Sequence, residues 1–324
     1  MIALKEINKS FKVSKRQSGL KNAVKALVSR ETETIHALRD VSFSIADGEM
    51  VGYIGPNGAG KSTTIKVMCG VLTPDGGSCE IDGRVPWKER IAHVKNIGVV
   101  FGQRSQLWWD VPVLDSFELI RDIYKVSRAE YKRNLDELTA LLSLSEILKT
   151  PARSLSLGQR MRCELAASLL HGPKTLFLDE PTIGLDAVSK IAVRQFIQKL
   201  NAEKGTTVIL TTHDMQDIEA LTKRILLIGK GRILLDGGLE DIKKRFSDEK
   251  ILTVDYSGVL GEALPGMRYE KQEQGRLVAI LTPDLLDTPQ AIAHLAKSVE
   301  ITDISVSGIS SEEMVARLYK EYRI

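Results

Sequence analysis

Two stretches of the chain carry residues whose types and spacing suit phosphate chemistry, and the first is GPNGAGKST, Gly55–Thr63. It matches the pattern G-x-x-x-x-G-K-[ST], in which a glycine-rich loop and the start of a helix direct backbone amides at phosphate oxygens. Lys61 would reach the β- and γ-phosphates, and the Ser62 hydroxyl would coordinate Mg²⁺. We therefore predict a nucleotide-phosphate site at Gly55, Pro56, Asn57, Gly58, Ala59, Gly60, Lys61, Ser62 and Thr63.

The second stretch is TLFLDEP, Thr175–Pro181, an apolar run that ends in two acidic residues. Such a run is typical of a buried parallel strand, which would bring its terminal carboxylates to the edge of the sheet beside the phosphate loop. Asp179 is the candidate for holding Mg²⁺ through water. Glu180 is the candidate for orienting or deprotonating an attacking water.

Between these stretches lies SLSLGQR, residues 154–160. Ser156 is suited to cap the following helix, and Gly158 would let a ligand approach the backbone closely. The stretch therefore describes a second anion-binding helix start, although a plain N-cap accounts for the same two residues.

The elements that must position these residues alternate between apolar strand-like runs and amphipathic helix-like runs. This order predicts an α/β fold with a mostly parallel sheet and, at about 104–170, an inserted helical subdomain. After about residue 240 the pattern changes to a small α+β unit. We predict a nucleotide-binding domain over 1–240, which includes an antiparallel β part, and a C-terminal domain over 241–324.

Composition narrows the class of protein further. The 324 residues are 43% hydrophobic and 27% charged, with a net charge of +3, so no nucleic-acid partner is expected. No membrane span or secretory signal is evident, and the three scattered cysteines predict a reduced, cytosolic protein. The basic segment 12–30 is favoured as a solvated surface insertion over a helix that contacts the membrane.

The motifs together resemble the nucleotide-binding subunit of ABC transporters over residues 1 to about 240. LSLGQ resembles the signature loop of that family, Gly55–Ser62 its Walker A loop, and Asp179 with Glu180 its Walker B motif and catalytic carboxylate. Gln103 in VVFGQ resembles the glutamine loop, Asp186 in GLDAVSK the D-loop, and His213 in TTHD the switch histidine.

This resemblance implies a P-loop NTPase core that binds ATP and Mg²⁺, with Gln103 as a further magnesium ligand. It also implies that two domains pack head to tail, so that Ser156, Gly158 and Gln159 contact the ATP held by the partner, most simply a second copy. His213 would contact the γ-phosphate. The helical subdomain would dock a membrane permease, which would place the protein at the cytoplasmic face of the membrane.

Some positions keep alternatives open. Phe11 is the favoured aromatic for stacking on adenine, with His36 as a competitor and a core role for Phe11 still open. Gln103 is favoured over Gln106 for the glutamine loop. Trp108 and Trp109 suggest a partner contact, although at least one of them is expected in the core.

The C-terminal unit resembles the accessory domain of some exporters, which predicts a role in dimer support or regulation. We therefore expect an ATPase subunit that drives transport, and export in particular. A soluble ABC ATPase of translation or DNA maintenance is the alternative, but its second nucleotide domain or long coiled coil is not evident. A P-loop kinase or GTPase would not require LSLGQ, Asp186 and His213 together.

Overall fold

The computed structural model describes residues 1–14, 32–101, 104–245, 249–282, 284–308 and 310–324. The chain divides into two compact units, residues 1–236 together with Ile324, and residues 237–323. Most of the basic segment 12–30 lies outside the described residues, so its role stays a prediction. Over the described ranges, none of the helices combines the length and the apolar character that crossing a membrane requires.

A six-stranded sheet forms the centre of the first unit, in the order β5-β6-β7-β3-β8-β9. Every recorded pairing among β5, β6, β7, β3 and β8 is parallel, which confirms the predicted sheet. Because parallel strands end at one edge, the residues that follow β3, β6 and β7 meet there. The strands are β3 (Met50–Ile54), β5 (Ile97–Phe101), β6 (Thr175–Asp179), β7 (Thr207–Thr211), β8 (Arg224–Gly229) and β9 (Arg232–Gly238).

A second, antiparallel sheet has the order β2-β1-β4 and accounts for the antiparallel β part of the predicted fold. Ile7 and Val41 of this sheet are fully buried in a core shared with Tyr53 of the central sheet. The sheet consists of β1 (Ile2–Ser14), β2 (Thr32–Ile45) and β4 (Gly76–Ile81).

Helices cover the central sheet and form the insertion between β5 and β6. In the insertion, Val113, Phe117 and Ile120 recur at helical spacing and are buried, which explains why this segment forms helices rather than strands. The helices are α1 (Lys61–Met68), α2 (Arg90–Val94), α3 (Val113–Tyr124), α4 (Arg128–Leu142), α5 (Leu157–Leu169), α6 (Ala187–Lys204) and α7 (Met215–Leu221), with a 3₁₀ turn at Ala152–Ser154.

The second unit is a four-stranded antiparallel sheet with helices, in the order β11-β12-β10-β13. Leu252, Leu277 and Leu295 are fully buried in its own apolar core. Its elements are α8 (Leu239–Lys244), β10 (Lys250–Gly258), β11 (Met267–Glu273), β12 (Arg276–Leu281), α9 (Thr288–Leu295), β13 (Val299–Gly308) and α10 (Ser311–Glu321).

Candidate functional site

The phosphate loop lies between β3 and α1, as its sequence predicts. A Cβ atom at Gly60 would lie 2.8 Å from the carbonyl oxygen of Ala37, and φ at Gly60 is 116°, so this position requires glycine. Helix α1 begins without a side-chain cap. Its first turn is therefore free of a competing side-chain acceptor, and the helix start suits an anion.

Lys61 is 6% exposed and folds back over this loop. Its Nζ donates to the carbonyl oxygens of Gly55 at 2.5 Å and Pro56 at 3.2 Å. Burial lowers the pKa of Lys61, and the nearby carboxylates of Glu180 and Asp179 oppose that change. The ammonium therefore lies beside the loop that would hold phosphate, and a phosphate group would compete with the two carbonyls for it.

Asp179 ends β6 and contacts two hydroxyl groups. Its Oδ2 accepts from Ser62 Oγ at 3.1 Å, and its Oδ1 accepts from Thr211 Oγ1 at 2.5 Å. A hydroxyl and a carboxylate this close offer the oxygen ligands that Mg²⁺ prefers, so the residues fit that ion. Clusters of three His, Cys, Asp or Glu side chains suited to a metal are not found in the described ranges.

Glu180 adopts a left-handed conformation with φ of 56°, which is uncommon for a residue other than glycine. Its backbone N–H donates to the carbonyl oxygen of Thr211 at 2.9 Å and contacts Thr211 Oγ1 at 3.2 Å. The Glu180 Oε1 atom lies 2.8 Å from His213 Nε2. The neighbouring strand β7 thus holds the main chain of Glu180, and the loop after β7 supplies the partner of its carboxylate.

Asp179, Glu180 and His213 line one cavity of about 640 Å³, whereas Lys61 is not among its lining residues. The structure therefore brings together five of the predicted site residues, which are Asn57, Ser62, Asp179, Glu180 and His213. Sequence reasoning did not identify the other lining residues, which are Lys66, Val71, Phe101, Arg104 and Ile183. Arg104 directly follows Gln103. This place beside the glutamine-loop motif is the sequence feature that could have predicted Arg104 as a lining residue.

Ser156, Gly158 and Gln159 are not among the residues that line this cavity. Ser156 is the N-cap of α5 as predicted, and it forms a reciprocal capping box with Gln159. A Cβ atom at Gly158 would lie only 2.3 Å from Ser189 Oγ. Asp186 caps α6 by accepting from Ser189 N at 2.9 Å, so the signature loop and the D-loop helix pack together within one chain.

The alternatives at the glutamine loop and the adenine site have different outcomes. Gln103 lies outside the described residues, so its predicted role stays a prediction. Gln106 Nε2 donates to the Val99 carbonyl oxygen at 2.7 Å.

Of the two candidates for stacking on adenine, Phe11 is 36% exposed, and His36 Nδ1 contacts Ser10 Oγ at 2.9 Å. Neither aromatic is among the lining residues of the cavity, so the stacking role also stays a prediction.

The prediction that Trp108 or Trp109 belongs to the core is wrong. They are 59% and 52% exposed, while the preceding Leu107 is 5% exposed and occupies the core instead. Buried Glu164 of α5 holds this loop by accepting hydrogen bonds from Ser105 Oγ and from Gln106 N. Both indole rings are therefore left on the surface.

The fold and the site define a P-loop nucleotide hydrolase, and comparisons with known proteins narrow the class. Residues 38–183 match the family model described as "ABC transporter". The ABC transporter ATP-binding protein YhcH of Bacillus subtilis is 34% identical over 71% of this chain and 72% of its own length. The daunorubicin resistance ATP-binding protein DrrA3 of Streptomyces coeruleorubidus is 29% identical, over 87% of each chain.

Structural comparison agrees with these relatives. The ATP-binding cassette MJ0796, solved as a dimer in a post-hydrolysis state bound to ADP and phosphate, superposes with a TM-score of 0.61. It is 27% identical, and the match covers 74% of this chain and 99% of that cassette. The chain belongs to the ATP-binding proteins of ABC transporters. It is an ATP hydrolase of the transport type.

Proposed function

We propose that the chain hydrolyses ATP in a head-to-tail dimer and thereby drives export through separately encoded membrane permease subunits. The observation that carries the proposal is that Ser156, Gly158 and Gln159 are not among the residues that line the cavity of their own chain. The start of α5 does not line the local cavity, and a partner's γ-phosphate there would compete with the Ser156 side chain for the helix N–H groups. ATP would then join the two domains, and hydrolysis would let them part.

Within each cavity, different residues of this chain would bind the phosphates, hold Mg²⁺ and activate the attacking water. The Gly55–Thr63 loop would hold the phosphates, and Lys61 would exchange its two carbonyl partners for phosphate oxygens. Ser62 and Asp179 would hold Mg²⁺, Asp179 through water and Gln103 as a further ligand; when bound, the ion neutralises phosphate charge. Glu180 would accept a proton from the attacking water, and His213 would orient Glu180 and contact the γ-phosphate.

The surface around the signature loop supports a protein partner on that side. Leu157, Ile183, Val188 and Ile191 are between 37% and 78% exposed. Their segments are neighbours, because Gly184, which follows Ile183, comes close to Leu157, and Gly158 packs on Ser189 beside Val188. Exposed apolar side chains on neighbouring segments, beside a loop proposed to contact the ATP of a partner, favour a second copy of this chain as that partner.

A permease is the proposed second partner. The exposed Trp108 and Trp109 lie in the loop that follows Arg104, a lining residue of the nucleotide cavity. Exposed tryptophans are favoured in protein interfaces, so this loop would report the state of the cavity to the permease. The protein would then lie at the cytoplasmic face of the membrane. Relatives named for drug resistance, including DrrA3, support the export direction.

The proposal is tested with Glu180→Gln, which keeps the shape of the side chain but removes the base. We expect the purified variant to bind ATP, to hydrolyse it at least 100-fold more slowly, and to accumulate as a dimer in sedimentation velocity runs with ATP. Adding Ser156→Arg to the same chain should abolish that dimer while monomers still bind ATP. Normal hydrolysis by Glu180→Gln, or loss of monomer binding by Ser156→Arg, would contradict the proposal.

A further inference from the structure

Asp217 is a fully buried carboxylate beside the nucleotide cavity that has no part in the chemistry proposed above. It lies in the first turn of α7, is 0% exposed, and is not among the residues that line the cavity. A buried charge is costly unless it is paired and hydrogen-bonded, so its partners indicate what it does.

Its hydroxyl partners come from both loops that carry the proposed catalytic groups. Thr182 Oγ1 donates a hydrogen bond to Asp217 Oδ2, and Thr182 lies two residues after Glu180. Thr212 Oγ1 donates to the same oxygen at 3.2 Å, and Thr212 directly precedes His213. One carboxylate oxygen thus joins the turn that follows Glu180 to the loop that carries His213.

The other oxygen is held from the helix that follows the D-loop. Arg194 Nε of α6 lies 2.5 Å from Asp217 Oδ1, and Arg194 Nη2 lies 3.4 Å from Asp214 Oδ1. Lys190, one turn earlier on α6, pairs with Asp214 at 2.6 Å. Two cations of α6 therefore face two carboxylates at the start of α7. These ion pairs compensate the charge of Asp217 and hold α7 against α6.

We propose that Asp217 is a positioning residue for ATP hydrolysis, which keeps Glu180 and His213 at the 2.8 Å separation of their side chains by tying together the two loops that carry them. The inference rests on the roles proposed for Glu180 and His213. The proposed partner interface includes the start of α6, the helix that carries Arg194. The ion pair between Arg194 and Asp217 therefore links this interface to the loops of Glu180 and His213. A small loss of alignment slows the chemical step more than it weakens ATP binding.

The test separates this role from a merely structural one by comparing kcat with the Kd for ATP. For the full chain with Asp217→Asn, we expect kcat to fall at least tenfold while Kd changes less than threefold. Thr182→Val, which removes only the hydroxyl, should lower kcat at least fivefold, and Thr182→Ser should restore it to within twofold of the unmodified chain.

The matched control is Glu49→Gln, which breaks a charge cluster elsewhere in the same unit. Glu49 pairs with Arg224 at 3.1 Å and accepts from Ala46 N at 2.8 Å, away from the residues that line the cavity. We expect it to lower the melting temperature without changing kcat by more than twofold. If Asp217→Asn does not fold, the pair Thr182→Val and Thr182→Ser decides the outcome by the same criterion.

The inference is overturned if Asp217→Asn or Thr182→Val keeps kcat within twofold, or if Glu49→Gln loses as much kcat as they do. Running Glu180→Gln in parallel distinguishes this result from failure of the proposed function. If Glu180→Gln is inactive while Asp217→Asn is fully active, only the inference about Asp217 is wrong. If Glu180→Gln is fully active, the proposed role of Glu180 is wrong, and the inference that depends on that role fails with it.

Discussion

At the scale of single residues, the site depends on side chains that hold the reacting groups as well as on the reacting groups themselves. Thr211 is 0% exposed, yet its hydroxyl contacts both the carboxylate of Asp179 and the main-chain N–H of Glu180. Glu180 keeps a left-handed φ of 56°, a conformation that costs free energy and persists only where the surrounding contacts hold it. The end of β7 therefore determines where the Walker B carboxylates lie.

Replacing Thr211 with valine should reveal this contribution. Valine keeps the volume but loses both hydroxyl contacts, so Asp179 and Glu180 are less firmly held. We expect kcat for ATP to fall about tenfold, equivalent to about 1.4 kcal/mol in the barrier. Thr211→Ser retains the hydroxyl and should stay within threefold of the unmodified chain in a steady-state phosphate-release assay. Equal activity of the two variants would show that the hydroxyl is not needed.

His171 provides a residue-scale prediction about pH. Its Nε2 contacts the Ile97 carbonyl oxygen at 2.9 Å, its ring stacks on Tyr124, and burial lowers its pKa from 6.5 to about 4. The unfolded chain therefore binds a proton more readily than the folded chain between these two values. The stability associated with neutral His171 is complete above pH 6.5 and is lost as the pH falls toward 4.

The measurement is the free energy of unfolding in urea at pH 7 and pH 5. On going from pH 7 to pH 5, the unmodified chain should lose about 1 to 2 kcal/mol more than His171→Gln. Glutamine can donate to the Ile97 carbonyl oxygen in the same way but does not titrate. Parallel pH profiles for the two proteins would contradict the assignment of a neutral buried imidazole.

At the scale of elements, the signature loop is positioned by helix packing as well as by its own cap. Ser156 and Gln159 form the capping box that starts α5, so the local sequence accounts for the beginning of the helix. The position of that helix start relative to the other elements is not determined by the cap. It depends on the close approach of Gly158 to Ser189, whose hydroxyl donates to Asp186 at 2.8 Å.

Gly158→Ala tests this contact between α5 and α6. Alanine is the better helix former by roughly 0.5–1 kcal/mol, so intrinsic propensity predicts a more stable protein. The added methyl group would instead lie 2.3 Å from Ser189 Oγ and 3.0 Å from its Cβ. We therefore expect a net loss of about 1–3 kcal/mol in the free energy of unfolding.

A double-mutant cycle identifies the cause of that loss. Removing the hydroxyl with Ser189→Ala takes away the nearest atom, so Gly158→Ala should cost under about 1 kcal/mol in that background. Denaturant titrations of the two single variants and the double variant give the coupling. Full additivity would show that the strain arises elsewhere than at Ser189.

At the scale of the whole molecule, the chain separates its nucleotide chemistry from its C-terminal unit. All the residues that line the cavity lie between Asn57 and His213, within the unit of residues 1–236 and Ile324. The second unit has its own sheet and its own buried core. The proposed role of the C-terminal residues in dimer support or regulation therefore does not require them to contribute to the cavity.

A fragment that ends at Gly238, the last residue of β9, should accordingly retain the nucleotide site. We expect it to bind ATP with a Kd within about threefold of the full chain, because it contains each lining residue and the core beneath them. Isothermal titration calorimetry measures this, with Lys61→Ala in the same fragment as the control for binding at the phosphate loop. A folded fragment that no longer binds ATP would show that the C-terminal unit completes the site.

The sequence by itself determined the phosphate loop, the Walker B carboxylates, the cap at Ser156 and the parallel α/β core. These features follow from local rules, since glycine spacing, capping residues and apolar periodicity act over a few neighbouring positions. His213 was identified by its place in a series of ordered motifs that resemble a known family, whereas its contact with Glu180 was not predicted.

Only the tertiary structure decided how residues far apart in the chain hold one another. Thr211 against Asp179, Asp217 against Thr182 and Gly158 against Ser189 are contacts between elements, and no local pattern encodes which strand or helix becomes a neighbour. The exposure of Trp108 and Trp109 has the same origin, since Glu164 of a distant helix and Leu107 together fix their loop. Burial is a property of the assembled fold, and composition sets only its average.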